Sequence, residues 1–361
     1  MRSARRLASG QHGGAPLTAR VAAKVELPAN GDYEAMKAWL IEQKDGRAQL
    51  RFADLPDLTP GPHDLLLRVH AAGLNRADLG RNAGHYERVA TKPPHPIAGL
   101  EAAGEVIAVG SAVAGWSLGE RVMGMPSGAY AEQVLLDHRL AVRIPAALSW
   151  VRAAALPVAL FTAHDALVSN GRLARGESIF IQGAASGVGI AAAQIARMLG
   201  AGIVAGSASA AKIPRLAAVG VTHPIDYAAG DVASAVLAAT NNAGVDVIID
   251  MIGASAINDH LAMAAAGARW VQVGRMGGAS GAIDLDLLSK KRIALLGASF
   301  RMRSVEQFAV LVHKAWAELG AAVAAGSIAM PVDRVFPLAE AYDAQRAMRE
   351  NRHFGKFILQ M

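Results

Sequence analysis

From Met36 to about residue 145, polar and apolar residues alternate, or run apolar, in short stretches broken by turn signals. MKAWLIEQ, AQLRFADL and HDLLLRVHAAGL are separated by Lys44-Asp45-Gly46 and by Thr59-Pro60-Gly61-Pro62. GEVIAVG, GERVMGM and GAYAEQVLLD continue the theme. Short segments bounded by Gly and Pro predict strands, hence a β-rich domain. The rhythm changes near Ser149, which is placed to cap a helix over SWVRAAAL. Beyond it, strand patterns (ESIFIQ, GIVAG, VDVIIDMIG, ARWVQVG) alternate with helical ones (GVGIAAAQIARMLGA, SAAKIPRLAAVG, INDHLAMAA). In the first of these helices Val188, Ala191, Ile195 and Leu199 share a face. Alternating βα units with continuously apolar strands predict a parallel sheet covered on both faces. A helix and a final strand close the chain in VFPLAEAYDAQRAMRENRHFGKFILQM. No internal repeat of solenoid length is present.

Composition narrows the class. At 361 residues, 53% hydrophobic and 18% charged, the chain has apolar material for two domains rather than a disordered segment. No apolar run of eighteen residues is free of charge, Gly or Pro, so no transmembrane helix is expected. There is no cysteine, which excludes disulfides and thiolate metal sites. The net charge of +6 is scattered, with no basic helix interleaved with aromatics. That distribution suits a soluble enzyme with a polyanionic cofactor better than nucleic-acid binding. Residues 1–35 differ from the rest: Arg2, Arg5, Arg6, Arg20 and Lys24 precede the first acid, Glu26. This stretch is expected to be a disordered extension ahead of a natural start at Met36. A cytoplasmic location follows, or a mitochondrial one if the extension is a transit peptide.

The main chemical signal is ESIFIQGAASGVGIAAAQIARMLGA. A strand ends at Gln182, and the loop Gly183, Ala184, Ala185, Ser186, Gly187, Val188, Gly189 turns into a helix. Glycines let the backbone approach a pyrophosphate, and the helix N-terminus offers unpaired N–H groups. NAD enzymes place an acid about twenty residues on, against the ribose 2′-hydroxyl. Between Glu177 and Asp226 this chain has none. Ser207, Ser209, Lys212 and Arg215 follow the second strand instead, which suits a 2′-phosphate and favours NADPH. Ser186 is not a nucleophile elbow, because Ala184 and Val188 stand where that motif needs glycine.

GLNRADLGRNAGHY, PHPIAGLEAAGEVIAVG, GERVMGM, GAYAEQ, AAALPVALFTAHDAL, GAASGVG and HFGKFIL occur in the order seen in medium-chain dehydrogenases/reductases. From Met36 to Met361 the chain resembles that superfamily. DVIIDMIGASAINDHL, VQVGRMGG and LLGASFRMR make it most similar to the zinc-free NADPH:quinone oxidoreductase, zeta-crystallin-like branch. The resemblance implies an α/β fold: a GroES-like β-rich catalytic domain (residues 36–157 and 300–361) and a Rossmann domain with a doubly wound parallel sheet (158–299). It also implies a homodimer. Zinc-dependent relatives carry Cys at the position of Asn75 and His at that of Leu100, and the Cys-rich structural zinc lobe is absent. Without those ligands no tetrahedral zinc site is expected. The implied reaction is hydride transfer from NADPH to a quinone or similar electron-poor acceptor.

By the same resemblance Asn75 holds the nicotinamide side of the cleft and Tyr86 donates to the acceptor oxygen. Thr162, Tyr227, Gly253, Gly274, Phe300, Met302 and Lys356 contact the cofactor together with the glycine loop, Ser207, Ser209 and Lys212. His85 and Arg275 are further candidates, as proton donor and substrate clamp. Two alternatives stand beside the quinone reading. One is an alkenal, enone or enoyl-thioester reductase. The other is a non-catalytic, NADPH-retaining protein of crystallin or RNA-binding type.

Overall fold

The computed structural model describes residues 35–44, 47–82 and 95–361. Tyr86 and His85 lie outside these residues, as does the extension up to residue 34. Strands β1 (Ala35–Lys44) and β2 (Arg47–Pro56) form an antiparallel pair, with Ala35 opposite Pro56. The next elements are β3 (Asp64–Gly73), α1 (Arg76–Asn82), β4 (Ala102–Val109), β5 (Arg121–Gly124), β6 (Gln133–Asp137) and β7 (Val142–Arg143). Helix α2 (Trp150–Ala154) opens on Ser149, whose side chain accepts from the Arg152 N–H. Helix α3 (Pro157–His164) runs into a π-helical turn, Asp165–Asn170.

The alternating half comprises β8 (Ser178–Ile181), α4 (Gly187–Met198), β9 (Ile203–Ala208), α5 (Ile213–Leu216) and β10 (His223–Asp226). It continues through α6 (Val232–Ala239), β11 (Val245–Asp250), α7 (Ile257–Met263), β12 (Ala264–Gln272), α8 (Leu285–Lys291) and β13 (Ala294–Gly297). The chain ends with α9 (Val305–Ala324), β14 (Val332–Pro337), α10 (Ala341–Arg349) and β15 (Lys356–Gln360). No helix among the described residues is long and apolar enough to cross a membrane.

The parallel sheet has the order β10-β9-β8-β11-β12-β13. This is the order of a doubly wound dinucleotide-binding sheet, with its switch point between β8 and β11. Alternate residues of β8 feed the two cores: Ile179 and Ile181 pack on one face, Phe180 on the other. The second sheet has the order β14-β15-β3-β4-β5-β7, with β6 on β3. The terminal strands thus return to the β-rich half and bring Lys356 beside Asn75 at the end of β3.

Two elements differ from the pattern reading. SAAKIPRLAAVG is not one helix but a 3₁₀ turn (Ala210–Lys212), the short α5 and a second 3₁₀ turn (Ala217–Val219). Pro214 lacks the N–H that a continuous helix would need there. The twenty-residue α9, passed over by the pattern, carries a capping box between Ser304 and Gln307. It buries Phe308, Leu311, Val312, Ala315, Leu319 and Val323 on one face.

Candidate active site

A cleft of about 940 Å³ opens at the carboxyl edge of the parallel sheet, against residues of the β-rich half. Ligands bind at this edge, beside the switch point, in open α/β sheets. Asn75, Thr162, Gly183, Ser186, Gly187, Val188, Ser207, Ser209, Lys212, Tyr227, Gly274, Phe300 and Lys356 all line it. Arg275 lines it too. Ala184 and Gly189 do not; they pack behind the loop. Gly253 lines a second groove, of about 430 Å³. Met302 stands outside the cleft with its side chain 84% exposed, so in this stretch Ala298–Arg301 form the wall instead.

The glycine loop is built for close approach. Gly183 has φ 71°, in the left-handed region that favours glycine. A Cβ on Gly189 would lie 2.7 Å from Ala184 Cα, so only glycine lets the helix start this near the loop. Ser186 caps α4 by accepting from the Gly189 N–H at 3.1 Å. Gly187 and Val188, the first residues of α4, face the cleft. Their end of the helix carries the partial positive charge of the aligned peptides.

Beyond the second strand the cleft wall is cationic. The Lys212 ammonium donates to the Asn351 carbonyl at 2.7 Å. The Arg76 guanidinium donates to the Met348 carbonyl at 3.2 Å and to Asn351 Oδ1 at 3.0 Å. His353 completes the group, and its buried Nδ1 has no hydrogen-bond partner among the described residues. Burial, then the neighbouring Arg76, pulls Lys212 below its ordinary pKa. Burial lowers Arg76 as well. Burial, then Lys212 and Arg76, takes His353 down to about 4. Lys212 and Arg76 make this wall positive, with Asp333 acting on Lys212 and His353 from β14, and an anion is favoured beside the two cations. Arg76 and His353 are absent from the sequence-level candidates, because they meet Lys212 only through the fold.

The other end is apolar, lined by Leu74, Leu79, Leu100, Met125, Val158 and Phe300. Its polar floor is Asn75, Glu101 and Lys356. Lys356 donates to Asn75 Oδ1 at 2.7 Å and forms a buried ion pair with Glu101. Opposite, Arg303 grips both oxygens of Asp165 at 2.9 Å. Burial raises the Asp165 pKa, while Arg303 opposes that shift. This pair ties the Phe300 wall to the π-helical turn after α3.

Residues 61–146 match the alcohol dehydrogenase GroES-like domain, and residues 219–359 match the zinc-binding dehydrogenase family. The chain is 35% identical over 326 residues to the synaptic vesicle membrane protein VAT-1 homolog of Rattus norvegicus, spanning 83% of this chain and 77% of that protein. The chain belongs to the medium-chain dehydrogenase/reductase superfamily. It is an oxidoreductase of that superfamily, with its GroES-like domain and Rossmann-type parallel sheet. A quinone oxidoreductase of Pseudomonas syringae pv. Tomato superposes with a TM-score of 0.80 at 29% identity, covering 91% of this chain and all of that one (100%). The CurK enoyl reductase superposes with a TM-score of 0.79 at 26% identity, over 91% and 100% of the two chains.

The name of the second matching family raises the question of a zinc ion. The donor set does not suit one: Asn75 supplies an amide, Leu100 no donor at all, and an ammonium is seated on the Asn75 and Glu101 oxygens. Among the described residues no group of three His, Cys, Asp or Glu is placed to hold a metal.

Proposed function

We propose that this medium-chain oxidoreductase reduces a quinone or similar electron-poor acceptor with NADPH, without zinc. The observation that carries the reading is the cleft itself, cationic at one end and apolar at the other, with the glycine loop between them. Gly187 and Val188 would meet the pyrophosphate at the start of α4. Ser209, Lys212, Arg76 and His353 would receive the 2′-phosphate, and no carboxylate stands on the β9 turn to repel it. When bound, NADPH supplies a hydride from its nicotinamide ring. Leu74, Leu100, Met125, Val158 and Phe300 would exclude water and stack an apolar, planar acceptor, so that positioning supplies most of the rate gain. Likeness to the Pseudomonas quinone oxidoreductase supports this acceptor class. Likeness to the CurK enoyl reductase favours a second reading, reduction of a conjugated double bond in the same cleft.

The test follows reduced-nicotinamide absorbance with p-benzoquinone and, separately, with an alkenal, using NADPH and NADH in parallel. Oxidation of NADPH by the quinone is expected, with the alkenal slower. Turnover of the alkenal alone would move the assignment to double-bond reduction. Lys212→Ala should raise the KM for NADPH about tenfold, the worth of one charge-assisted contact, and leave NADH unchanged. Equal changes for both nucleotides would overturn the 2′-phosphate assignment.

A further inference from the structure

The floor of the cleft holds three side chains whose hydrogen bonds run in one direction only. Glu101 is wholly buried and Lys356 is 3% exposed. The Lys356 ammonium donates to Asn75 Oδ1 at 2.7 Å and to Glu101 Oε1. Asn75 Nδ2 donates to Glu101 Oε1 at 2.8 Å, and the Val158 N–H donates to Glu101 Oε2 at 2.7 Å. An ammonium has donors and no acceptor, and an ionised carboxylate has acceptors and no donor. The Asn75 amide between them therefore has a single orientation, oxygen toward Lys356 and nitrogen toward Glu101. A flipped amide would set its NH₂ against the ammonium and its carbonyl against the carboxylate. One of the two amide hydrogens goes to Glu101. Among the described residues the other has the Gly73 carbonyl alone, at 3.5 Å, the outer limit of a hydrogen bond. Asn75 lines the cleft; Lys356 holds one lone pair of its Oδ1, and the donor it can turn there is the hydrogen that rests weakly on Gly73.

We propose that Glu101 and Lys356 are positioning residues: a buried ion pair that fixes the Asn75 amide as a donor to a carbonyl oxygen in the cleft. The inference rests on reading the cleft as a reductase site. The oxygen is that of the acceptor or that of the nicotinamide carboxamide, which share this chemistry. Neither charge is needed to bury the floor; their shared effect is to forbid the amide flip that either neutral partner would allow. Residues from four places in the chain meet to do it: the end of β3, the start of β4, the start of α3 and the start of β15.

The experiment uses the full chain and the double variant Glu101→Gln/Lys356→Met, which removes both charges and leaves neither one buried alone. Binding of NADP⁺ is titrated by protein fluorescence. Cyclohexanone and methylenecyclohexane are then titrated against the NADP⁺-loaded protein as ligands of like shape with and without an acceptor oxygen. The wild type should prefer the ketone about fivefold, the worth of one neutral hydrogen bond. The double variant should lose that preference, and kcat should fall about 100-fold, as when one donor to a reacting oxygen is removed. Loss of NADP⁺ affinity with the ketone preference intact would assign the N–H to the carboxamide instead. If the double variant keeps affinity, preference and kcat, the proposal is overturned. Should the double variant fail to fold, Asn75→Ala, which leaves the ion pair whole, must show the same losses or the proposal falls. The ligand titrations need no turnover, so a wild type that reduces neither quinone nor alkenal would sink the function reading and still judge the clamp.

Discussion

Gly189 is a residue at which one methyl group has a direct consequence for the cofactor loop. Its Cβ would meet Ala184 Cα at 2.7 Å, and that neighbour is backbone, not a side chain that can swing away. Gly189→Ala must push α4 back from the loop, an overpacking cost of about 1–3 kcal/mol. The variant should melt lower and bind NADPH about tenfold more weakly, a loss of about 1.4 kcal/mol that lies within that range. A fluorescence titration with unchanged affinity would mean the loop does not hold the pyrophosphate. This glycine is legible in the sequence, because its reason is local. Lys212 is only half legible. Its position after an acid-free strand can be read, but its contact with the Asn351 carbonyl joins residues 139 apart in sequence. The GASFRMR stretch meets the cleft through Ala298–Arg301, while the Met302 side chain points to solvent and leaves only its backbone to approach a ligand.

At the scale of elements, the wall at Phe300 depends on an ion pair that no motif suggests. Arg303 lies in the segment before α9, and Asp165 opens the π-helical turn after α3. Asp165 is 1% exposed. Removing its partner leaves a buried carboxylate unpaired, at a cost of about 3–5 kcal/mol. Arg303→Met should therefore unfold at clearly lower denaturant, and the double variant Arg303→Met/Asp165→Asn should recover much of the loss. Urea melts of the two would check this; equal midpoints for the single variant and the wild type would deny the pair its role. The helix α9 that follows was within reach of the sequence. Ser304 and Gln307 form a capping box, and Phe308, Leu311, Val312, Ala315 and Leu319 follow helical spacing. The break in SAAKIPRLAAVG was equally local, at Pro214.

For the whole molecule, two histidines couple the fold to pH. His260 is wholly buried beside Asp250, its ring edge-on to Trp270. Burial lowers its pKa, against the opposing pull of Asp250. His353 is lowered to about 4, by burial first and then by Lys212 and Arg76. In the unfolded chain both return to about 6.5. Below that value the unfolded state binds protons that the folded state refuses, so stability falls as pH falls. The contribution is complete above about pH 6.5, and for His353 it is lost as the pH drops toward 4. Thermal melts should show a lower Tm at pH 5 than at pH 7.5, with a shallower slope in His353→Asn. An identical slope in that variant would exclude His353 as a source.

The change from a β-rich half to alternating strands and helices, the glycine loop and the missing acid after the second strand were all determined by the sequence alone. Each follows from spacing, residue shape or charge within a few tens of residues. The partners of the buried charges were decided by the tertiary structure. Asn75 and Lys356 stand 281 positions apart, yet they share a hydrogen bond, because the last strand returns to pair with β3. The same return sets His353 and Asn351 beside Arg76 and Lys212. A charge is given its chemistry by what it faces at a few ångströms, and a linear pattern holds no record of contacts made across that distance in the fold.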